Sequence, residues 1–341
     1  MSIQKFSAPD PSPASGFIII DLPHAEAADG VVRCAKKVLV DGARTMARSR
    51  TYAWALLEQQ RSGASAGISA AGERDAAMAA FLDAAGPASD SGTLVLDAAK
   101  GVGVEELDPL RAGDPRHDGD DAELLAASLV GAVAATPAGL DGRTVGIEGA
   151  GTALPAVLRA FAAAGARPTA IGLADRTVML PLGADPHVVA TAFDADGTAF
   201  DPEVLPDATV VAEHHVDALL HAEVDILVCG SKVGLVDHEV APRLSAAVLA
   251  PIGPVPVTAK ALAVAARNGV VVLPDFLTTA GPLQRFLVEG SAEQVAAATD
   301  AAGRSAEFVT HAEGAHLGAC LAAEEFLSSW CDELPFGRPL A

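Results

Sequence analysis

From Thr144 onward the chain alternates short apolar runs with helical stretches, and this alternation constrains the fold more than any other feature. Thr144–Ile147, Thr169–Leu173, Asp225–Val228, Ala246–Leu249 and Val270–Leu273 read as strands. Pro155–Ala164, Lys260–Asn268 and Ala292–Ala302 read as helices between and after them. Apolar strands joined through helices imply a parallel sheet covered on both faces. The first strand runs into Glu148-Gly149-Ala150-Gly151-Thr152-Ala153-Leu154-Pro155, where a helix starts. One glycine of such a turn permits the tight bend, and the next lets backbone approach a pyrophosphate on the helix N-terminus. Pro155 in the first helical turn costs no hydrogen bond.

The stretch before Thr144 has a different texture. Residues 1–16 are rich in Pro and Ser and read as loose. Phe17–Leu22 and Val31–Val40 read as strands, Gly42–Gln60 and Glu73–Ala84 as helices, and Thr93–Leu96 as a short strand. The small residues of Arg61–Gly67 read as a turn. Asp108–Asp121, with Pro109, Gly113, Pro115, Gly119 and five Asp, reads as a loop and a domain boundary. Leu124–Ala135 is a connecting helix. Ala315–Trp330 is an amphipathic helix that returns to the first domain or makes a subunit contact. The fold class expected is α/β. A Rossmann-type doubly wound parallel sheet covers 124–309. A smaller α/β domain is built from 1–123 with about 310–341, and a cleft lies between the two.

Composition narrows the function. The 341 residues carry a net charge of −21, without the Lys and Arg clusters that a nucleic-acid backbone requires. No run of about 18 apolar residues lacks a charge or a breaker, and the short Phe17–Ile20 run is below the length of a signal-peptide core, so neither a membrane nor export is expected. Cys34, Cys229, Cys320 and Cys331 form no CxxC pair, which fits reduced thiols in the cytoplasm and no metal. His214, His215 and His221 cluster without a carboxylate or Cys at ligand spacing, and read as solvated or capping groups.

Longer motifs add a resemblance. Gly139-Leu-Asp-Gly-Arg-Thr-Val-Gly-Ile-Glu-Gly-Ala-Gly151, Ala195-Asp-Gly-Thr-Ala-Phe-Asp-Pro-Glu-Val-Leu205, Val224-Asp-Ile-Leu-Val-Cys-Gly230 and Gly269-Val-Val-Val-Leu-Pro-Asp-Phe-Leu-Thr-Thr-Ala-Gly281 follow one another in order. Ala241-Pro-Arg243 and Gly253-Pro254 fall between them. Together these blocks resemble the glutamate/leucine/phenylalanine/valine dehydrogenase family. Met46-Ala-Arg-Ser-Arg-Thr-Tyr52, Ser62–Ile68 and Val104–Asp108 are similar to segments of that family's substrate domain. The resemblance implies NAD or NADP as cofactor, held by Gly149, Gly151, Thr152, Ala153, Asp175, Cys229, Gly230 and Thr279. It also implies a small-molecule ligand in the interdomain cleft and a homo-oligomer of at least two copies.

The resemblance also shows what is missing. The family's chemistry uses one lysine for the substrate carboxylate, a second of lowered pKa for acid/base work, and an aspartate for proton transfer. Those positions hold Ala53, Ser65 and Ala99. Leu154 replaces the third glycine, Ile252 and Thr279 replace two asparagines, and Ala126 replaces a threonine. Arg61, Asp97 and Lys100 are the weak substitutes, together with Arg33, Lys36 and Lys37, although a solvated charge is the plainer reading for each. Cys229 reads as a buried strand end rather than a nucleophile, because no His is paired with it. The expectation is a divergent NAD(P)-binding oxidoreductase that has lost ordinary oxidative deamination. Two alternatives stand beside it. One is a catalytically silent regulatory subunit, scaffold or sensor; the other is a non-redox enzyme on the same scaffold.

Overall fold

A computed structural model describes residues 1–8, 14–111, 121–335 and 337–341. The chain forms two compact units, Met1–Gly119 with Ala322–Pro339, and Asp120–Leu321 with Leu340–Ala341. No helix among the described residues is long and apolar enough to cross a membrane.

The first unit holds β1 (Ser2–Ser7), β2 (Ser15–Ile20), β3 (Ala28–Ala35), α1 (Val40–Leu56), β4 (Ser62–Ser69), α2 (Arg74–Asp90) and β5 (Leu94–Ala98). The sheet order is β1-β2-β4-β3-β5, with β3 parallel to β4 and β5, and β1 and β2 antiparallel. Residue alternation separates two faces. Val32, Ala64, Ala66, Ile68, Leu94 and Leu96 pack under Met78 and Phe81 of α2. Phe17 and Ile19 pack under Ala43 and Ala47 of α1. Trp54 of α1 is fully buried, and its indole N–H donates to Asp29 at 2.9 Å. Asp21 makes a two-pronged ion pair with Arg48 at 2.6 and 2.7 Å.

Two expectations fail in this unit. Residues 2–7 are not loose but form the edge strand β1, paired residue for residue with β2. Arg61–Gly67 is not a turn. Ser62–Ser69 is an inner strand, bonded to β2 on one side and β3 on the other. Its small residues answer to a helix pressed against it. A Cβ at Gly63 would come within 1.9 Å of the Ala47 carbonyl oxygen, so only glycine admits α1 at that distance. Residues 104–110 form a 3₁₀ turn within the expected boundary loop, and 112–120 of that loop lie outside the described residues.

The second unit holds α3 (Ala122–Ala134), β6 (Thr144–Ile147), α4 (Leu154–Ala163), β7 (Arg167–Gly172), β8 (Thr177–Met179), α5 (Pro186–Thr191), β9 (Thr209–Val211), α6 (His215–Leu220) and β10 (Ile226–Cys229). It continues with β11 (Val248–Pro251), α7 (Ala259–Arg267), β12 (Val271–Val272), α8 (Asp275–Thr278), α9 (Ser291–Gly303), α10 (Ser305–Phe308) and α11 (Ala315–Ser328), whose C-terminal half belongs to the first unit. The order is β12-β11-β10-β6-β7-β8-β9. The strands from β12 to β7 are parallel, and β8 and β9 add an antiparallel edge that the alternation pattern does not show. The chain leaves β6 for β7 on one side and later returns to β10 on the other. The strand order therefore reverses between β6 and β10.

A reciprocal clasp ties the start of this central pair. The backbone N–H and hydroxyl of Thr144 both donate to Asp225 at 2.9 Å, and Asp225 N–H donates back to the Thr144 hydroxyl oxygen at 2.9 Å. These bonds, the Thr144 N–H first, hold the Asp225 carboxyl below its ordinary range. A carboxyl depressed on folding stabilises the fold above its unfolded value, and that stabilisation disappears as pH falls through the folded value. Asp225→Ala is expected to cost about 1 kcal/mol at neutral pH, near the lower end for paired hydrogen bonds because the group is partly solvated. The difference from wild type shrinks in acid, and thermal melts from pH 7 down to pH 3 check both points.

Candidate functional site

The C-terminal ends of β6, β10 and β11 are brought within backbone contact of one another, and glycine makes this contact geometrically allowed. Gly149, directly after β6, has φ +80°, and a Cβ there would come within 2.5 Å of Ser231 N. A Cβ at Gly230 would come within 2.3 Å of Gly253 N, beyond β11. Gly151 has φ +53° and open space where its Cβ would stand. Gly151–Ala153 form one 3₁₀ turn that leads into α4. The Ala153 and Leu154 N–H groups bond within that turn, and Pro155 has none. The donors left at the head of α4 are the Gly151 and Thr152 amides, beside the open space. Free backbone amides at the head of a helix are the kind of group that can hold an anion.

Leu154 fills the third glycine position without splitting helix from strand. It is buried, and Gly197 at φ +65° makes room beside it. Cys229 is fully buried at the end of β10, and burial pushes its thiol well above the ordinary range, with the nearby Glu148 carboxyl adding to the effect. That thiol does not serve as a nucleophile at neutral pH. Ile252 is buried, and its N–H donates to the Cys229 carbonyl oxygen at 3.1 Å. The Thr279 hydroxyl donates to the Asp275 carbonyl oxygen at 2.7 Å. The preceding Thr278 reaches the Pro251 carbonyl oxygen at 2.6 Å and ties this segment to the end of β11. Asp175 follows the neighbouring strand β7. It lies in the exposed β7–β8 turn, gripped by Arg176 at 2.6 and 2.8 Å, and that side-chain pairing keeps its carboxyl ionised below the usual range.

Two buried acids belong to this site and were not singled out by motif spacing. Asp275 accepts from Val255 N–H at 2.9 Å and so holds a β-branched residue at φ +51°, a strained backbone conformation. Glu148 accepts from the N–H groups of Gly230 at 2.9 Å and Ser231 at 3.1 Å. The available signal for Glu148 was its position: a lone acid between an apolar strand and a glycine turn. Among the described residues, no group of three or more His, Cys, Asp or Glu is arranged to hold a metal.

In the first unit the three replaced positions are closed or neutral. Ala53 is buried on α1. Ser65 is fully buried in mid-β4 between Ile19 and Val31, and its hydroxyl has no partner. Ala99 follows β5 and donates its N–H to the Val32 carbonyl oxygen at 3.0 Å. Of the weak substitutes, Arg61 lies over the Trp54 ring at 4.9 Å. Asp97 faces Arg111 at 3.6 Å. Lys100 is exposed, and its carbonyl oxygen accepts from Cys34. Lys36 and Lys37 are exposed as well. Arg33, paired in register with Gly67 and on the face that carries Ser65, is half-buried, and desolvation pulls its guanidinium below the ordinary value.

These features define a two-unit α/β protein whose second unit is a Rossmann-type sheet. Among solved structures, this is the fold of the amino-acid dehydrogenases. The chain is similar to a hetero-hexameric glutamate dehydrogenase from Thermus thermophilus in a leucine-bound form, with a TM-score of 0.77 and 19% identity over 96% of this chain and 88% of that one. It is similar to the glutamate dehydrogenase of Plasmodium falciparum, with a TM-score of 0.75 and 14% identity over 97% and 83%. It is also similar to L-tryptophan dehydrogenase from Nostoc punctiforme, with a TM-score of 0.64 and 15% identity over 96% of both chains. The sequence matches no protein-family model and no curated protein.

The glycine geometry predicts an order of damage. Gly149→Ala, strained in φ and driven into Ser231, is expected to cost roughly 2 kcal/mol or more. Gly151→Ala, strained in φ alone, is expected to cost about 1 kcal/mol. Urea unfolding of both variants measures the difference.

Proposed function

We propose that this chain is a divergent NAD(P)-binding oxidoreductase that acts on an amine, imine or keto-acid substrate and no longer performs ordinary oxidative deamination. The observation that carries the cofactor part is the Gly149–Gly151 turn. It lies where strand order reverses, its two amide donors are uncommitted, and space is open at Gly151. The residues that would hold the dinucleotide are Gly149, Gly151, Thr152 and Ala153 at the turn, and Cys229, Gly230 and Thr279 along the neighbouring strand ends. Asp175 would reach the adenosine ribose only if its hold on Arg176 is exchanged. When bound, the nicotinamide would supply hydride chemistry.

The substrate part rests on Ala53, Ser65 and Ala99. None of the three offers an ionisable group, and no lysine replaces either of the missing pair on α1 or β4. The same observation favours a second reading, a catalytically silent subunit. The Thermus thermophilus relative is hetero-hexameric, and an oligomer of at least two copies, working in the cytoplasm on a small-molecule ligand, belongs to both readings.

Calorimetric titration with NAD and NADP tests the cofactor part. Saturable binding of one of them is expected, and binding of neither at millimolar concentration rejects it. A panel of amino acids and keto acids, followed by reduced-nicotinamide absorbance, separates the two readings. Leucine, valine and glutamate are expected to give no turnover. Hydride transfer to or from another amine or keto acid identifies the oxidoreductase, and none across the panel leaves the silent subunit.

A further inference from the structure

Arg33 carries a guanidinium that the protein leaves unpaired. The charged residues of β3 and β5 are Asp29, Arg33 and Asp97, and the register of Val31 with Asp97 sets all three on one face of the sheet. Asp29 accepts from the Trp54 indole at 2.9 Å and faces Arg50 at 3.2 Å. Asp97 faces Arg111 at 3.6 Å. Among the described residues, no acid lies within ion-pair distance of Arg33. Its Nε and Nη2 atoms are shut off from solvent and donate to nothing. Donors of this kind are rare in folded proteins, because each gives up its hydration without return.

The surroundings show from which side a partner can come. On the β4 side Arg33 pairs in register with Gly67, and a Cβ there would come within 2.6 Å of both the Phe17 ring and Val38, so apolar groups close that flank. On the β5 side lies Ala99, which donates its N–H to the Val32 carbonyl oxygen and offers only a methyl group. β5 is the last strand of the sheet. Asp97, Ala98 and Ala99 are half-buried and Lys100 is exposed, so this flank is open. Three of the six lysines in the chain, Lys36, Lys37 and Lys100, follow β3 and β5 at this same end and are exposed. In a chain of net charge −21, such a group of cations draws an anion to this end of the sheet.

We propose that Arg33 is a carboxylate anchor of the first unit, which binds a small organic acid past Ala99 at the C-terminal end of β3 and β5. The proposal rests on the substrate reading above and narrows it to carboxylic acids, since an amine without a carboxylate would leave the guanidinium unpaired. A carboxylate brings two oxygens to a planar fork of donors, which is the pairing that guanidinium geometry favours. Parallel strands receive ligands at their C-terminal ends, where Arg33 stands.

Arg33→Met removes the charge and keeps an unbranched side chain. Straight-chain 2-oxo acids, their primary amides and the corresponding primary amines are titrated calorimetrically into full-length wild type and variants, with and without NAD and NADP. A 2-oxo acid is expected to bind wild type about tenfold or more tightly than Arg33→Met, and Arg33→Lys to recover part of the loss as a point charge without the fork. Binding of NAD and NADP is expected to be unchanged. Without ligand, Arg33→Met is expected to melt at a higher temperature than wild type, because apolar surface replaces an unpaired charge. A lower melting temperature shows that the guanidinium is structural and overturns the proposal. Ala99→Asp sets a carboxylate of the protein beside Arg33 and is expected to weaken acid binding as well, which keeps the test open should Arg33→Met fail to fold. Equal affinity for the acid in wild type and variants, or binding of amides or amines but of no acid, overturns the anchor and leaves the substrate reading standing. Binding of no acid, amide or amine overturns both.

Discussion

The second unit depends on how closely β6 and β10 are held together. At one end of the pair, Thr144 and Asp225 bond to each other through side chain and backbone. At the other, Glu148 takes two amides from the loop after β10, and Gly149 lies against Ser231. A parallel pair of four-residue strands has few ladder bonds of its own, so these end clasps fix its register. The rest follows in sequence. Gly230 meets Gly253, Thr278 reaches Pro251, and Asp275 holds Val255 in its strained conformation. The strand ends thus meet through backbone, at glycines that let the chains approach.

That construction explains why the fold was legible in the sequence and the chemistry was not. The β6 limits, Thr144–Ile147, are those of the apolar run, because a buried parallel strand needs continuous hydrophobicity. The turn glycines were legible because other residues adopt a positive φ only at a cost in strain. β4 was not, because its Ser, Gly and Ala residues carry the composition of a turn, and the cause of that composition, α1 lying against Gly63, is a tertiary contact. β1 was hidden for a related reason: half of its side chains or more face solvent, so no apolar alternation marks it. The role of Glu148 depends on amides 82 and 83 residues away, which local pattern does not reveal.

The two units handle the positions that depart from the motifs in different ways. In the second, substituted positions were absorbed by packing: Leu154 is accommodated by Gly197, and Ile252 keeps its backbone bond to Cys229. In the first, Ala53, Ser65 and Ala99 offer no ionisable group, and the sheet around them is intact. Ser65 keeps the strand register of β4 while presenting only an unpartnered hydroxyl. A scaffold can retain its shape when its reactive groups are gone, because shape rests on buried area and hydrogen bonding.

The first unit is discontinuous in sequence, and this affects how it is made. Arg48 donates to the Gly337 carbonyl oxygen, and Tyr52 donates its hydroxyl to Glu324, so helix α1 is completed by residues that leave the ribosome 289 and 272 positions later. Asp120–Leu321, by contrast, needs only Leu340–Ala341 from beyond its own span. During synthesis the whole sheet of the second unit has therefore been made before the closing segment of the first unit is added.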